Sequence, residues 1–270
     1  MKMIFATRCN SVITGLLVLG FQIGVSLAKE QEEFHQTYAL NENGQVRLDN
    51  VNGKVVITAW DHPEIKVDAL KRADNQADLD ALKIEITSKP GKIKIHTVYP
   101  KWKASQWRKS NSATVDYEIK VPAQAVLDDI QSVNGDVDIE GVRGHVNAST
   151  VNGRLTAKGL NSDSRLESVN GTVEATFEKL DNAKTVSLKS VNGKLKLMLP
   201  TEANAEVSAN TLNGGIHADS ALTVKKRWPV GTDLNGTLGK GGTKIKLETV
   251  NGGIQVHRSD MVQPVSAEKP

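Results

Sequence analysis

The feature that most constrains this chain is the tripeptide Val-Asn-Gly, which returns at a fixed interval. It occupies residues 133–135, 151–153 and 169–171, a spacing of 18 residues. Between these copies apolar and polar residues alternate, which is typical of strands that bury one face and leave the other in water. Self-similarity at a fixed period indicates a repeat architecture. The sequence therefore predicts a repetitive all-β protein.

Less regular copies of the motif lie at residues 51–53, 191–193, 212–214, 234–236 and 250–252. Their uneven spacing predicts loops of variable length between repeats. We expect the Asn-Gly pairs to form corners, because glycine accepts a left-handed backbone and asparagine tolerates one. The valine before each pair should turn into the core, and the Ser or Thr before the valine should bond to the backbone. The predicted corner residues are Asn52, Gly53, Asn134, Gly135, Asn152, Gly153, Asn170, Gly171, Asn192, Gly193, Asn213, Gly214, Asn251 and Gly252.

Two all-β architectures fit this pattern. The first is a β-solenoid, a flattened β-helix with coils of about 18–22 residues and Val-Asn-Gly corners. The second is an antiparallel β meander or sandwich in which Asn-Gly marks tight hairpins. A two-residue hairpin would make Val151 and Arg154 partners on one sheet face, so one of them would be misplaced relative to the core. The solenoid avoids this conflict and is favoured.

The N-terminus has the pattern of an export signal. Lys2 and Arg8 precede an uncharged apolar stretch, and small residues at Ser26 and Ala28 suit cleavage before Lys29. The alternative is a retained membrane anchor. Cleavage would leave no transmembrane anchor and would place the protein in the periplasm or outside the cell. It would also remove Cys9, the only cysteine, so disulfides and thiolate chemistry are not expected.

The predicted domain organisation follows from these patterns. Residues 1–28 are a signal peptide, and residues 29–39 are a flexible N-terminal segment. Residues 40–258 form a single β-repeat domain, and residues 259–270 are a disordered tail.

Two short segments depart from the repeat and combine cations with tryptophan. Such segments could bind an anionic polysaccharide through charge and aromatic contacts. The alternative is a surface loop whose tryptophans fold back over the core. Loss of residues 1–28 lowers the formal net charge from +3 to +1, so no nucleic acid partner is expected. The candidate ligand-binding residues are Lys101, Trp102, Trp107, Arg108, Arg227 and Trp228.

Catalysis is not indicated by the stacked positions of the repeats. Polysaccharide cleavage requires paired carboxylates at a fixed separation, and no column of equivalent positions gathers acids. Asp136 and Asp138 lie close together, but Arg154 should neighbour Asp136 in the next coil and pair with it. The six histidines do not have metal-ligand spacing. We therefore expect no catalytic residue, no metal and no cofactor.

The chain resembles the bacterial putative-adhesin family of β-strand-repeat domains of unknown function. The resemblance rests on the Trp-Asp-His-Pro sequence at 60–63, the Ile-Lys-Val-Pro sequence at 119–122 and the repeated Ser/Thr-Val/Leu-Asn-Gly units. It covers most of residues 40–257. The resemblance implies a right-handed β-solenoid and carries no established activity.

These observations predict an exported, non-enzymatic β-repeat scaffold or interaction protein of the cell envelope, with an adhesin-like role. Its expected partner is an envelope protein or an anionic polysaccharide. Two alternatives stay open: an anionic-polysaccharide-binding module, and a polysaccharide-active enzyme built on a β-helix.

Overall fold

Strands account for most of the chain that the computed structural model describes, which is residues 29–99, 113–219, 222–226 and 230–259. One short helix, α1 (Gln76–Ala81), is present in these ranges, and its first turn is capped by the side chain of Asn75. The strands are β1 (Glu30–Ala39), β2 (Gln45–Asp49), β3 (Val55–Trp60), β4 (Glu64–Ala73), β5 (Lys83–Lys89), β6 (Lys92–Val98), β7 (Thr114–Pro122), β8 (Val126–Asn134), β9 (Val137–Glu140), β10 (Val146–Asn152), β11 (Leu155–Asn170), β12 (Val173–Asn192), β13 (Leu195–Pro200), β14 (Ala205–Asn213), β15 (Ile216–Ala218), β16 (Thr223–Lys226), β17 (Thr232–Leu238), β18 (Thr243–Asn251) and β19 (Ile254–Ser259).

The described strands form one hydrogen-bonded sheet that bends at corners into two faces, which we name the front and back sheets. Each repeat supplies a front strand, turns at Asn-Gly and continues as a back strand. β11 and β12 each hold a back strand in the first half and a front strand in the second. The front order is β5, β6, β2, β8, β10, β11, β12, β18, β14, β17 and β16. The back order is β1, β4, β7, β3, β9, β11, β12, β13, β19 and β15.

Adjacent repeats pair in parallel, so that equivalent residues stack above one another. On the back sheet, for example, Val137, Leu155, Val173 and Leu195 are successive partners. Parallel neighbours cannot be joined by two-residue hairpins, which excludes the antiparallel meander for the repeats. The prediction of an all-β, solenoid-like fold is confirmed. Antiparallel pairs lie toward the two ends of the stack, at β1, β4 and β5 and at β16 and β17.

The core lies between the front and back sheets and is mostly aliphatic. Ile57, Ile139 and Leu188 are among its fully buried side chains. Tyr117 is buried as well, and its hydroxyl lies 2.7 Å from the hydroxyl of Thr97. Burial raises the pKa of the Tyr117 phenol, which therefore stays neutral. The alternation in the sequence correctly indicates which strand face is buried along most of the repeats.

Residues 29–39, expected to be flexible, contain an edge strand instead. β1 pairs with β4 along its whole length. Phe34 and Tyr38 pack against the core, and His35 Nδ1 lies 2.7 Å from a carboxylate oxygen of Asp68. The expectation of a flexible segment is wrong because backbone pairing and two aromatic contacts hold this strand.

The other terminal predictions lie outside the described residues. These are the signal peptide at 1–28 and residues 260–270 of the tail. In the part of the chain that the structure describes, no helix has the length and apolar character needed to cross a membrane.

The last two repeats are stacked out of chain order. β18 lies between β12 and β14, so the corner at 250–252 follows the corner at 191–193. The copy of the motif at 234–236 is not a corner, because it lies within β17, antiparallel to β14. Spacing along the sequence does not reveal this order, since strands with the same apolar pattern can exchange places in a stack.

Candidate interaction surface at the Asn-Gly corners

The asparagines of the corners form a continuous ladder of side-chain hydrogen bonds. From Asn134 onwards, each Nδ2 donates to the Oδ1 of the preceding asparagine in the stack over 2.8–2.9 Å. Their amides are exposed or half-buried, so the ladder marks an outer edge of the solenoid. In spatial order the ladder consists of Asn52, Asn134, Asn152, Asn170, Asn192, Asn251 and Asn213.

The glycines of this edge are packed against one another. A Cβ at Gly153 would lie 2.1 Å from the carbonyl oxygen of Gly135, and one at Gly171 would lie 1.9 Å from that of Gly153. Gly53 has a φ of 121°, but Gly153 and its later counterparts do not have positive φ. The expected left-handed backbone is therefore wrong for the later corners. Glycine is needed there because the neighbouring backbone leaves no room for a side chain.

A column of buried hydroxyls lies just inside the glycines. Thr150 donates to the carbonyl oxygen of Gly135 over 3.1 Å, and Ser168 donates to that of Gly153 over 3.2 Å. The same bond recurs at Ser190, Thr211 and Thr249. The equivalent hydroxyl of Ser132 is buried without a hydrogen-bond partner among the described residues. These hydroxyls satisfy the carbonyl groups that the corner turns inward.

The aliphatic residue before each asparagine faces solvent. Six of these side chains are between 37% and 48% exposed. The prediction that they plug the core is wrong, because the preceding Ser or Thr takes the inward position and alternation sends the next side chain outward. They form a straight line on the front sheet, which we name the valine row. It consists, in spatial order, of Val133, Val151, Val169, Val191, Val250 and Leu212.

A second row runs beside the valine row on the same outer face, and we name it the polar row. Lys189 Nζ lies 3.3 Å from Glu248 Oε2, and Arg165 Nε donates to Glu167 over 2.9 Å. The two rows line a shallow, open groove of about 650 Å³. In spatial order the polar row consists of Gln131, Ser149, Glu167, Lys189, Glu248 and Asn210.

The acids nearest to the corner on the back sheet bond to neighbouring repeats. Asp136 Oδ1 accepts a bond of 2.7 Å from the backbone N–H of Arg154, and Asp138 lies 2.8 Å from Lys54 Nζ. The hydrogen bond that Lys54 donates to the Asp138 carboxylate raises the pKa of the Lys54 amine. The expected ion pair of Asp136 with the Arg154 side chain is replaced by this backbone bond. Both carboxylates thus serve contacts between coils.

A larger cavity of about 980 Å³ lies away from the Asn-Gly corners, between the middle of β12, the β13–β14 loop and the β17–β18 loop. Its lining mixes acids such as Glu178 and Glu202 with cations such as Lys184 and Lys244. Within the described ranges, no three His, Cys, Asp or Glu side chains come together in a way that could hold a metal ion. The cavity presents mixed charge without a ligand-specific arrangement.

The stacked corners agree with a recognised domain type. The model of the Toastrack domain, DUF4097, matches residues 24–257. This chain belongs to the Toastrack family. The resemblance to bacterial putative adhesins of unknown function is confirmed.

Solved structures similar to this Toastrack chain include two bacterial proteins. One is described as a putative cell adhesion protein from Clostridium sporogenes: identity 14%, TM-score 0.49, with 84% of this chain and 100% of that chain covered. The other is described as a putative adhesin from Bacteroides fragilis: identity 13%, TM-score 0.38, with coverage of 84% and 97%. No curated protein matches significantly. No functional conclusion rests on these similarities.

The six candidate ligand-binding residues of this Toastrack chain lie outside the described residues. The strands that flank them are described, however. β6 precedes residues 101–108 near one end of the front sheet, and β16 precedes residues 227–228 at the other end. Nine strand-to-strand steps separate β6 from β16, or about 43 Å at ~4.8 Å per step.

The valine row was not predicted from the sequence as a surface feature. Strict alternation along β10 could have revealed it, because Val146, Ala148 and Thr150 are alternate residues whose side chains all point inward. Val151 is then outward by simple alternation.

Proposed function

We propose that this Toastrack chain is an exported, non-enzymatic scaffold that binds a component of the bacterial cell envelope. Its body is a flattened solenoid with coils of about 18–22 residues. The charged segment, apolar stretch and small residues at 1–28 support export. Expression with the native N-terminus, followed by mass spectrometry of the exported form, should give a chain that begins at Lys29. A chain that retains residues 1–28 would contradict the exported, unanchored form.

The observation that carries the proposal is that carboxylates on the outer surface are bonded to neighbouring coils. Glycoside cleavage needs two carboxylates free to exchange protons or attack at a fixed separation. Asp136 and Asp138 are bonded to neighbouring repeats, and Glu174 accepts a bond of 2.8 Å from Lys196. Carboxylates engaged in coil-to-coil contacts support a binding scaffold over a polysaccharide-cleaving enzyme.

The ligand class we propose is a long anionic polysaccharide of the envelope. Lys101, Trp102, Trp107 and Arg108 would form one contact, and Arg227 with Trp228 would form the other. About 43 Å separates the strands that precede the two segments, a distance that a long polymer can span. A polymer that reaches both contacts should bind more tightly than one that reaches a single contact, because the first contact holds the polymer near the second and raises its effective concentration there.

Retention on an immobilised anionic polysaccharide tests this ligand class. We expect alanine at Lys101, Trp102, Trp107 and Arg108 to elute at clearly lower salt than the wild type, because phosphate, sulfate or carboxylate attraction is screened by salt. A matched control replaces Lys83 and Lys89 of β5 by alanine, which removes the same number of cations elsewhere. Equal retention of the wild type and the four-residue variant would remove these residues from the proposed site.

An assay for new reducing ends tests the non-enzymatic part of the proposal. The purified protein is incubated with envelope polysaccharide fractions, and we expect no increase over the protein-free control. Turnover that follows the protein through purification would overturn the scaffold proposal in favour of the enzyme.

A further inference from the structure

We propose that the valine row is a self-association surface through which two copies of this chain pack front sheet to front sheet. The two rows run antiparallel, with a twofold axis that passes between the columns of Val169 and Val191. This surface is separate from the residues that the proposed function assigns to polysaccharide, and the proposal does not depend on that ligand.

The valine row is apolar where the corner does not require an apolar side chain. The side chain before the asparagine needs only to fit an outward strand position, which threonine would do equally well as a β-branched residue. Six aliphatic side chains stand there instead, each at least 37% exposed. Among the described residues, only Val224 and Val230 are comparably exposed large aliphatic side chains outside the row. A contiguous apolar line of this kind marks an interaction site.

The period of the valine row favours a partner with the same period. Its side chains repeat at the strand spacing of ~4.8 Å, so that six of them extend over about 24 Å. A second copy of the same row has the same period and stays in phase over the whole length. A partner with a different repeat length would lose contact after a few side chains. A second β-stack is therefore the best-matched occupant, and the chain itself supplies one.

The charges of the polar row are complementary between two copies in one register. With the axis between Val169 and Val191, Glu167 lies opposite the partner's Lys189, and the symmetry repeats this pair. Ser149 then lies opposite the partner's Glu248, and Gln131 opposite the partner's Asn210. No two like charges of the polar row meet in this register.

Other registers are penalised by the same charges. A slip of one strand in one direction places Glu167 opposite the partner's Glu248 and Lys189 opposite the partner's Lys189. A slip in the other direction places Glu167 opposite the partner's Glu167. Like charges held opposite each other disfavour an arrangement, so the polar row selects the register that also overlaps all six columns.

The size of the patch sets the expected strength. The patch extends about 24 Å along the row and about 13 Å along the strands, so the two copies together would bury on the order of 600 Å². This area is smaller than that of standard specific complexes and is typical of weak, transient contacts. We therefore expect a reversible dimer whose Kd lies in the upper micromolar range.

Sedimentation equilibrium of the full exported protein tests the proposal. We expect the average mass of the wild type to rise from monomer towards dimer over two decades of concentration. Val169→Ser with Val191→Ser should weaken the dimer by at least about tenfold, because central apolar contacts dominate small interfaces. Val224→Ser is the matched control, since it removes an equally exposed valine outside the row, and its dimer should be unchanged.

A charge exchange tests the register. Lys189→Glu should abolish the dimer, and Glu167→Lys combined with Lys189→Glu should restore it, with circular dichroism and Tm confirming that each variant is folded. A wild type that stays monomeric at its highest soluble concentration overturns the proposal. So does a dimer that the serine variant leaves intact, or a charge-exchange variant that stays monomeric.

Discussion

Two glycines on opposite edges of this solenoid are required for different reasons. At the Asn-Gly corner, Gly153 does not have positive φ, yet a Cβ there would lie 2.1 Å from a neighbouring carbonyl oxygen. On the opposite edge, Gly159 has a φ of 73°, but the nearest atoms to a Cβ lie 3.3 Å away. Gly153 is limited by space between coils, and Gly159 by the backbone conformation within one coil.

This difference shows that a repeated glycine in a sequence does not reveal which constraint acts on it. A left-handed glycine restricts only its own residue, and asparagine can partly replace it. A glycine pressed against the next coil couples two repeats, because any side chain must push the coils apart. Gly153 should therefore tolerate substitution much less than Gly159 does.

The largest effect is expected for Gly153→Ala. The added methyl group would overlap the carbonyl oxygen of Gly135, which accepts a hydrogen bond from Thr150, so the unfolding free energy should fall by about 3 kcal/mol or more. Urea unfolding with a two-state fit measures the change. A decrease of 1 kcal/mol or less, on the order of the left-handed penalty alone, would remove the distinction between the two glycines.

A smaller effect is expected for Gly159→Ala. Its cost should be the left-handed backbone penalty, about 1–2 kcal/mol. Gly159→Asn should recover part of this loss, whereas Gly153→Asn should be more destabilising than Gly153→Ala, because the larger side chain meets the same carbonyl. Urea unfolding gives the unfolding free energy of the alanine and asparagine variants at both positions. An asparagine variant more stable than the alanine variant indicates a limit set by backbone conformation, and a less stable one indicates a limit set by space.

Ser168→Ala probes the hydroxyls that complete the crowded corner. The loss of a buried bond to the Gly153 carbonyl should lower the unfolding free energy by about 1 kcal/mol. Ser132→Ala is the matched control, because the Ser132 hydroxyl is buried without a partner in the described structure, and its removal should leave thermal stability unchanged or slightly higher. Equal losses for the two variants would show that these bonds do not stabilise the corner.

The smallest effect is expected for Asn152→Ala. This substitution breaks two rungs of an exposed ladder, where water can replace the lost partners, so the cost should be about 0.5 kcal/mol. Substitutions at two adjacent residues, Asn152→Ala and Gly153→Ala, should therefore differ greatly in their effect on stability. A loss as large as that of Gly153→Ala would mean that the ladder, and not the packing of the glycines, holds the coils together.

The period and the alternation were enough to predict the class of fold. The spacing of Val151-Asn152-Gly153 from its neighbours fixes the parallel stack, because each corner must lie above the previous one. The reason for the glycine was not predictable, because φ and the distance to the next coil depend on how closely the repeats approach. The direction of Val151 was predictable in principle from Thr150, but the attraction of an apolar side chain to the core outweighed strict alternation in our interpretation.

The candidate site was less predictable than the fold. The basic tryptophan segments stand out because they interrupt the repeat, whereas the valine row is formed by the repeat itself and becomes visible only when the strands are stacked. The order of the last repeats was also hidden. β18 pairs with both β12 and β14, and no local pattern in the sequence indicates that these strands are neighbours.

The position of β18 has a consequence for how the chain reaches its native state. From β8 to β12, each new repeat can add to the repeat before it as soon as it is available, so this part can form in the order in which the chain leaves a ribosome or a translocation pore. β14 is made before β18 but has its parallel neighbour only after β18 arrives. The stack therefore cannot close by simple elongation. Its final step is the insertion of a late strand between two earlier ones, and until then the front edge of β12 stays open to pairing with other chains.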